Sequence, residues 1–522
     1  MLCPTGVKRA RPIIPGMDVR ADVVERGLRR WIIVLGVMLA PLMETIDSSI
    51  VNVALPTIQG NLGATLDEAA WVITGYLIAN VIVIPLTPWL QTRFGRRQYF
   101  TATVIGFTLA SVLCGLAGSI ETLIALRIVQ GLFGGGLIAT AQATLRDTFT
   151  AEEVGLAQGI FAVIILVGPI VAPMLGGYLV DAASWQWIFF VNVLPGVFSA
   201  LVVGTMLRNP TDPVAADVDV GGISLLVLAL GSLQFVLEEG ERRDWFGSTS
   251  IGVAAVSAVV GGVAFVFWEL FGTDAPIVDL RVLRYRTVAV GCVLGAGIAA
   301  TLFGTTLVLP QYTQGVLGFT AFGSGELIFF RALPIMLIAP LVAGLVGSGR
   351  VDVRFTMATG FALTALGSVL IAGTTSSVTS FAQLLPGLAI GGFGTAMLFI
   401  PLLIAVQTST SAADAPMASS FITLAFQLGG SVASAALVTL IDRRDDFHAA
   451  MLGAGVTLAH PAVRAALQMI SPAQLAALVN AQAQTLAFAD VAYAAAAIAA
   501  VLVPVVFLLR RPQHTITEIT FE

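Results

Sequence analysis

Residues 31–56, WIIVLGVMLAPLMETIDSSIVNVALP, join a long apolar run to two acidic residues. A helix needs about 20 apolar residues to cross the hydrocarbon core of a bilayer, and this run supplies enough. Glu44 and Asp47 interrupt the run, although a charged side chain at mid-membrane costs roughly 2.5–3.5 kcal/mol on insertion scales. The stretch is too long for a cleavable signal peptide. We therefore interpret it as a membrane span that carries functional acids.

The composition of the whole chain agrees with this interpretation. Its 522 residues are 57% hydrophobic and 11% charged, and the mean hydropathy is +0.93. Soluble domains carry roughly 25% charged residues, so this chain cannot cover a water-facing surface. We expect an all-α integral membrane protein. Its fourteen predicted spans are about 31–56, 70–90, 99–118, 121–145, 154–179, 186–207, 221–237, 250–271, 287–311, 325–346, 355–374, 380–404, 416–440 and 485–509.

The placement of basic residues predicts the orientation of the spans. Most of the 26 lysines and arginines fall in segments that are cytoplasmic when the N-terminus is inside. Cytoplasmic loops of membrane proteins carry such an excess. We therefore expect a multi-pass protein of the plasma membrane with both termini in the cytoplasm. The basic residues 1–30 are expected to lie near anionic lipid.

A weak internal repeat predicts two related halves. Pro56 and Pro310 end the first and ninth spans and lie 254 positions apart, as do Arg96 and Arg350. Parallel halves of six spans are common in secondary transporters, with the binding site between them. We expect two pseudo-symmetric six-helix halves with two inserted helices. The predicted divisions are an N-terminal segment 1–30, a first half 31–208, an insertion and cytoplasmic linker 209–286, a second half 287–509 with an external loop at about 441–484, and a cytoplasmic tail 510–522.

Three charged residues within spans are candidates for proton coupling. Glu44 and Asp47 are three residues apart and share one helix face, so each raises the proton affinity of the other. Arg127 lies in the fourth span and must find a carboxylate, carbonyl groups or water. It either partners the two acids or forms a fixed structural tie. The acids, in turn, either couple protons or lie at the outer interface or in a structural pair.

Span five and span ten contain further candidates. Glycine allows close helix approach, and proline bends a helix by removing an amide donor. A hinge, a tight interface between the halves, or ordinary packing would each explain the span-five residues, which are Gly168, Pro169, Pro173, Gly176 and Gly177. At the start of span ten, Glu326 is expected at the interface and Arg331 deeper, with both as candidate cavity residues.

Several motifs resemble the fourteen-span drug:proton antiporter branch of the major facilitator superfamily. The first-span stretch 47–56, DSSIVNVALP, is similar to the signature of that branch, and 123–131, LIALRIVQG, resembles its fourth-span motif. Residues 168–177 resemble the fifth-span antiporter motif, 185–192 the sixth-span entry, and 276–281 the segment after the inserted pair. The resemblance implies alternating access and links Arg127 to proton coupling, with Asp47 as the first residue of the first-span signature. Asn52 and Gln130, which lie within these motifs, are further candidate cavity residues.

The turn after span two departs from the superfamily pattern. It contains Arg93, Gly95, Arg96 and Arg97, which fit a tight gating turn. The superfamily usually has an acid at the fifth motif position, where this chain has Thr92. The acidic contact that gates the inward-facing side is therefore in doubt.

The function expected from these features is proton-coupled export of small hydrophobic or cationic compounds. The alternatives are export of one native metabolite, lipid-like molecule or siderophore, a membrane-embedded lipid-modifying enzyme, and a non-transporting sensor. We find no P-loop and no catalytic arrangement, so we expect neither ATP use nor enzyme activity. We also expect no cofactor, metal or nucleic-acid partner, and a monomer whose partners are substrate, protons and membrane lipid. The external segment is expected to be either a lid, with a helix starting at Ser471 and Pro472, or a solvated linker.

Overall fold

A computed structural model describes residues 25–149, 153–210, 213, 218–411 and 413–510. Helices dominate these residues, and no β-strand occurs among them. The expected N-terminal segment up to residue 24 and the tail from residue 511 lie outside the described residues. The α-helices are α1 Gly27–Leu62, α2 Leu66–Phe94, α3 Arg96–Gly115, α4 Ile120–Gly134, α5 Leu137–Thr148, α6 Val154–Ala182, α7 Trp187–Phe190, α8 Val193–Met206, α9 Val220–Glu239, α10 Thr249–Phe267, α11 Arg286–Pro310, α12 Ala321–Gly347, α13 Val353–Thr374, α14 Phe381–Ala396, α15 Phe399–Ser409, α16 Ala415–Gly455, α17 Pro461–Met469 and α18 Pro472–Val506.

The helices account for every expected membrane span. Thirteen segments of the described chain are long and apolar enough to cross a membrane. Helix α6, with 29 residues, occupies the position of the remaining, fifth span. Three spans are helix pairs, namely α4 with α5, α7 with α8, and α14 with α15. The expected all-α membrane fold is therefore confirmed.

The two sets of six spans meet along two seams. Helix α6 packs against α12 on one side of the molecule, and α2 packs against α16 on the other. A Cβ atom added at Gly159 would lie 2.9 Å from the Cα of Pro340, so glycine is needed where α6 and α12 touch. Across the other seam, the Ser420 hydroxyl donates a hydrogen bond of 2.7 Å to the carbonyl of Ile84.

The two halves share one apolar core at one end of the bundle and have separate cores at the other, where α6 and α12 still touch at Met174 and Gly325. At the end where α1 begins, a single apolar core contains residues of both halves, such as Phe161 and Ile335. At the opposite end the apolar residues form two separate cores, represented by Leu123 in the first half and Leu388 in the second. We call these the closed end and the open end.

The inserted helices lie outside this two-half arrangement. Helix α9 packs against α2 of the first half and α16 of the second, and α10 packs on α9. Only 17% of the most apolar 18-residue stretch of this span is buried within the protein, so α10 lies at the periphery. The exact divisions 1–30, 31–208, 209–286, 287–509 and 510–522 stay a prediction.

The segment 441–484, expected as an external loop, is mostly helical among the described residues. Helix α16 has 41 residues, which at about 1.5 Å per residue is twice the thickness of a hydrocarbon core. The charges from Asp442 onward end its apolar run but not the helix, because arginine is a good helix former and aspartate costs at most about 0.7 kcal/mol relative to alanine. Helix α18 begins at Pro472, and the Ser471 hydroxyl caps it by accepting from the Gln474 amide, as expected.

The projecting ends of α16 and α18 are fastened to each other. Asp490 of α18 accepts hydrogen bonds from Arg444 Nε at 2.5 Å and bonds His448 Nε2 at 2.8 Å. Beyond this cluster, α16, α17 and α18 border an open, largely apolar groove of about 420 Å³. The open end therefore carries a helical projection, and its role as a lid stays a prediction.

Candidate functional site

The side chain of Asp47 is completely buried, and its carboxylate is bound by the side chains of three residues from other parts of the chain. Arg127 Nη1 on α4 approaches Asp47 Oδ2 to 2.5 Å. The other oxygen, Oδ1, accepts from Asn192 Nδ2 at 2.8 Å and from Gln130 Nε2 at 3.0 Å. These donors satisfy both oxygens of the buried carboxyl group, and charge-assisted hydrogen bonds offset the hydration that burial removes.

Arg127 is held in place by groups of α2 and α4. Its Nε donates to the carbonyl of Val72 at 3.1 Å, and its Nη1 also donates to Gln130 Oε1 at 2.8 Å. Its Cζ lies 4.0 Å from the centroid of the Tyr76 ring, within the range of a cation–π contact. The structure therefore brings together Asp47, Arg127 and Gln130, with Gln130 in this cluster rather than in an open cavity.

Two residues complete the cluster on the side of α3 and α8. Asn192 lies between α7 and α8, and its Nδ2 also donates to the Ser111 hydroxyl of α3 at 3.0 Å. Ser111 donates in turn to the carbonyl of Phe189 at 2.9 Å. The motif 185–192 pointed to Asn192, but nothing in the sequence distinguished Ser111 from other serines in spans.

Glu44 has a different environment from Asp47, although the two acids lie on the same helix. Its Oε1 accepts from Asn80 Nδ2 of α2 at 3.0 Å. Its Oε2 is buried and has no hydrogen-bond partner among the described residues. Arg127 is bonded to Asp47, and the carboxylate of Glu44 is left with one amide donor. The coupling roles of both acids stay a prediction.

The glycines of span five bring α6 close to α1. A Cβ atom at Gly168 would collide with the Thr45 hydroxyl, and one at Gly176 would lie 2.7 Å from Ile50 Cγ1. A Cβ at Gly177 would meet nothing within 4 Å. Pro169 and Pro173 lie inside the same helix. The nearest atoms at Gly168 and Gly176 thus belong to the first half, and a hinge role for this segment remains a prediction.

The turn between α2 and α3 lies at the closed end. Gly95 has φ of +83°, a conformation that favours glycine. The Cζ atom of Arg93 lies 5.5 Å from the centroid of the Trp89 ring. Arg97 Nε donates a hydrogen bond of 2.9 Å to the Gly204 carbonyl. The Thr92 hydroxyl donates to the carbonyl one helical turn earlier.

An acid from another helix forms an ion pair with this turn. Arg96 forms an ion pair with Asp147 at the end of α5, and its Nε donates to Gln91 Oε1 at 3.2 Å. The acid that the superfamily pattern places at position 92 is absent, and Asp147 supplies a carboxylate to the same turn. Sequence analysis missed Asp147 because a single aspartate after a span has no distinguishing pattern.

Asp147→Asn is expected to loosen the closed end. Arg96 would lose its ion pair, and hydrogen bonds to charged groups contribute about 1.5–3 kcal/mol. The measurement is the labelling rate of a cysteine placed at Ala343, which lies across the seam from Gly159, in a background without the natural cysteines. Faster labelling is expected in Asp147→Asn but not in Asp181→Asn, which removes an exposed acid of α6. Equal rates would contradict a gating role for this ion pair.

The remaining candidate cavity residues are dispersed. Asn52 and Glu326 are exposed, so neither belongs to the buried cluster. Arg331 is buried in α12, and its Nη1 donates to the Leu302 carbonyl of α11 at 3.3 Å. Roles of these three residues in a substrate cavity remain predictions.

Two helical halves, two seams and an ion pair buried among the spans define a polytopic membrane protein built like a secondary transporter. The profile of the Major Facilitator Superfamily matches residues 37–434. The chain belongs to the major facilitator superfamily.

Curated relatives and solved structures agree with this assignment. Multidrug export protein EmrB of Escherichia coli (strain K12) is 34% identical over 442 residues, which cover 84% of this chain and 85% of that protein. Fatty acid resistance protein FarB of Neisseria gonorrhoeae is 31% identical over 503 residues, covering 93% and 97%. The human organic anion transporter MFSD10 has a TM-score of 0.55 at 13% identity, covering 91% of this chain and all of that one. This last likeness concerns the fold alone.

Proposed function

We propose that this protein exports small hydrophobic or cationic compounds in exchange for protons. The observation that carries the proposal is the buried pair of Asp47 and Arg127, because a charged pair among membrane spans is costly and marks functional sites. The similarity to multidrug export proteins over most of the chain supports the class of substrate. The proton gradient is the energy source, and no cofactor or catalytic turnover is involved.

The exchange depends on competition between a proton and Arg127 for the Asp47 carboxylate. Protonation of Asp47 removes the charge that holds the guanidinium, which then keeps its bonds to Gln130 and the Val72 carbonyl. Loss of the ion pair changes how α1 and α4 are tied together. Because α1 contributes to both the closed-end core and the open-end core of the first half, and α4 contributes to the latter, the protonation state biases which end of the bundle is closed.

The orientation belongs to the same proposal. Arg93, Arg96 and Arg97 lie at the closed end, which is accordingly the cytoplasmic end. The open end then faces outward, both termini lie in the cytoplasm, and the substrate leaves between the two halves. The protein acts as a monomer in contact with membrane lipid.

Inside-out vesicles with an imposed proton gradient test the proposal. Uptake of a fluorescent lipophilic cation is expected for the natural protein and for Glu121→Gln, which removes an exposed acid of α4. Uptake is expected to fall to the background level in Asp47→Asn, because no proton can be exchanged. Normal gradient-driven uptake in Asp47→Asn would refute the assigned coupling site.

A second candidate is export of a lipid-like molecule. It is favoured by the relative named for fatty acid resistance, which aligns over 93% of this chain. The same vesicles test it with a fluorescent long-chain fatty acid in place of the cation. Transport of the fatty acid without transport of the cation would favour this narrower function over multidrug-type export.

A further inference from the structure

Helix α2 separates the ion pair from the inserted helix α9 by the thickness of one helix. On one face, the Val72 carbonyl accepts from Arg127 Nε, and the Tyr76 ring lies beneath the guanidinium. On another face, the Trp71 ring stacks on Phe235 of α9 with centroids 5.7 Å apart. Residues 71–76, less than two turns of α2, therefore contact both the coupling site and the insertion.

The contact of α2 with α4 is too tight to absorb movement. A Cβ atom at Gly131 of α4 would collide with the Tyr76 carbonyl, so α2 and α4 meet at backbone distance. On the other side, α2 and α9 are held by the Trp71–Phe235 stack and by the Thr74–Glu239 hydrogen bond. Close-packed elements transmit displacement rather than damp it. A shift of α9 is therefore passed to the carbonyl that holds Arg127.

Glu239, the last residue of α9, binds this helix to residues 71–76 of α2. Its side chain is 1% exposed, and its Oε1 accepts a hydrogen bond of 2.9 Å from the Thr74 hydroxyl. Its Oε2 accepts from Arg243 Nε at 3.2 Å. The partners of this carboxylate offset the cost of its burial, and removing either one would leave a buried oxygen without a hydrogen bond.

Helix α9 and the turn after it also bind the second half. Gln234 Nε2 donates to the Ser431 hydroxyl of α16 at 2.8 Å. After the helix, Trp245 Nε1 donates to the Thr439 hydroxyl of α16 at 3.1 Å. Next to these contacts, burial and the neighbouring Asp442 carboxyl of α16 raise the pKa of Glu241. The insertion is thus bonded to α2 of one half and to α16 of the other.

We propose that Glu239 is a positioning residue for proton coupling. It acts on Arg127 through Thr74 and residues 71–76 of α2. The inserted helix α9 thereby links the Asp47–Arg127 pair to the second half, and a change at α16 alters the proton affinity of the pair. The inference rests on the proposed coupling role of Asp47. The other charged or titratable groups around this link are Glu44, Tyr76, Cys114, Glu238, Arg242 and Arg243.

The test is the pH profile of gradient-driven cation uptake in vesicles. Thr74→Val removes the hydrogen bond at constant shape, and Glu239→Gln removes the charge. Each is expected to shift the midpoint by about half a pH unit, a threefold change in apparent proton affinity. The double variant is expected to shift it no further than the single ones, because the two residues act through one bond.

The controls separate positioning from mere support. Thr74→Ser keeps the hydroxyl and is expected to retain the natural profile, as is Ser224→Ala, which alters an exposed position of α9. If Thr74→Val and Glu239→Gln lower uptake equally at every pH, or leave it unchanged, the positioning role is overturned. If Asp47→Asn still couples uptake to protons, the assigned coupling site is wrong, and if the natural protein shows no gradient-driven uptake, the proposed function fails instead. If Glu239→Gln does not fold, the pH profiles of Thr74→Val and Thr74→Ser test the positioning role.

Discussion

Arg127→Met is expected to destabilise the protein by about 3–5 kcal/mol, the cost of leaving one member of a buried ion pair uncompensated. In this variant, Asp47 keeps the amides of Asn192 and Gln130 but loses the only cation within hydrogen-bonding distance among the described residues. Methionine preserves the bulk of the side chain, so the loss reports charge more than packing. Proton-driven uptake is expected to vanish as well.

Thermal unfolding of the detergent-purified protein measures this effect. The double variant Asp47→Asn with Arg127→Met removes both charges and is expected to recover most of the lost stability, but not the transport. Arg443→Met removes an exposed arginine and is expected to unfold like the natural protein. A stable Arg127→Met protein, or a double variant no more stable than it, would mean that the pair contributes little to the fold.

A pairing of Arg127 with the acids of the first span could be predicted from the sequence, because few charges occur within the spans and each requires a partner. The choice between Asp47 and Glu44 could not. It depends on the rotation of α1 relative to α2 and α4, which places Asn80, and not Arg127, beside Glu44. Ser111 was missed because its hydrogen bond to Asn192 joins residues 81 positions apart, and only the packing of the helices brings them together.

The number of spans also followed from the sequence, whereas the lengths of the helices did not. Hydropathy marks where apolar residues stop, but a helix ends where its backbone is capped or broken. Helix α16 therefore passes through Asp442, Arg443 and Arg444 and ends only at Gly455. Likewise, the Arg96 turn has an acid from α5, which no local motif around position 92 could indicate.

Gly168→Ala and Gly177→Ala are expected to have opposite effects, although both replace a glycine of the same helix. Each gains about 0.8–1.0 kcal/mol of helix propensity, so the difference between them reports packing. At Gly168 the new Cβ would lie 2.8 Å from Thr45 Cβ and closer still to its hydroxyl. Overpacking of this kind costs typically 1–3 kcal/mol, and α6 must move away from α1.

The displacement at Gly168 falls between the two acids of α1, since Thr45 lies between Glu44 and Asp47 in the chain. We therefore expect Gly168→Ala to lower both thermal stability and proton-driven uptake, and Gly177→Ala to preserve uptake with equal or higher stability. Thr45→Gly, added to Gly168→Ala, removes the clashing side chain and is expected to restore uptake. If Gly168→Ala transports normally, close approach of α6 to α1 is not required for coupling, and the span-five glycines serve helix packing alone.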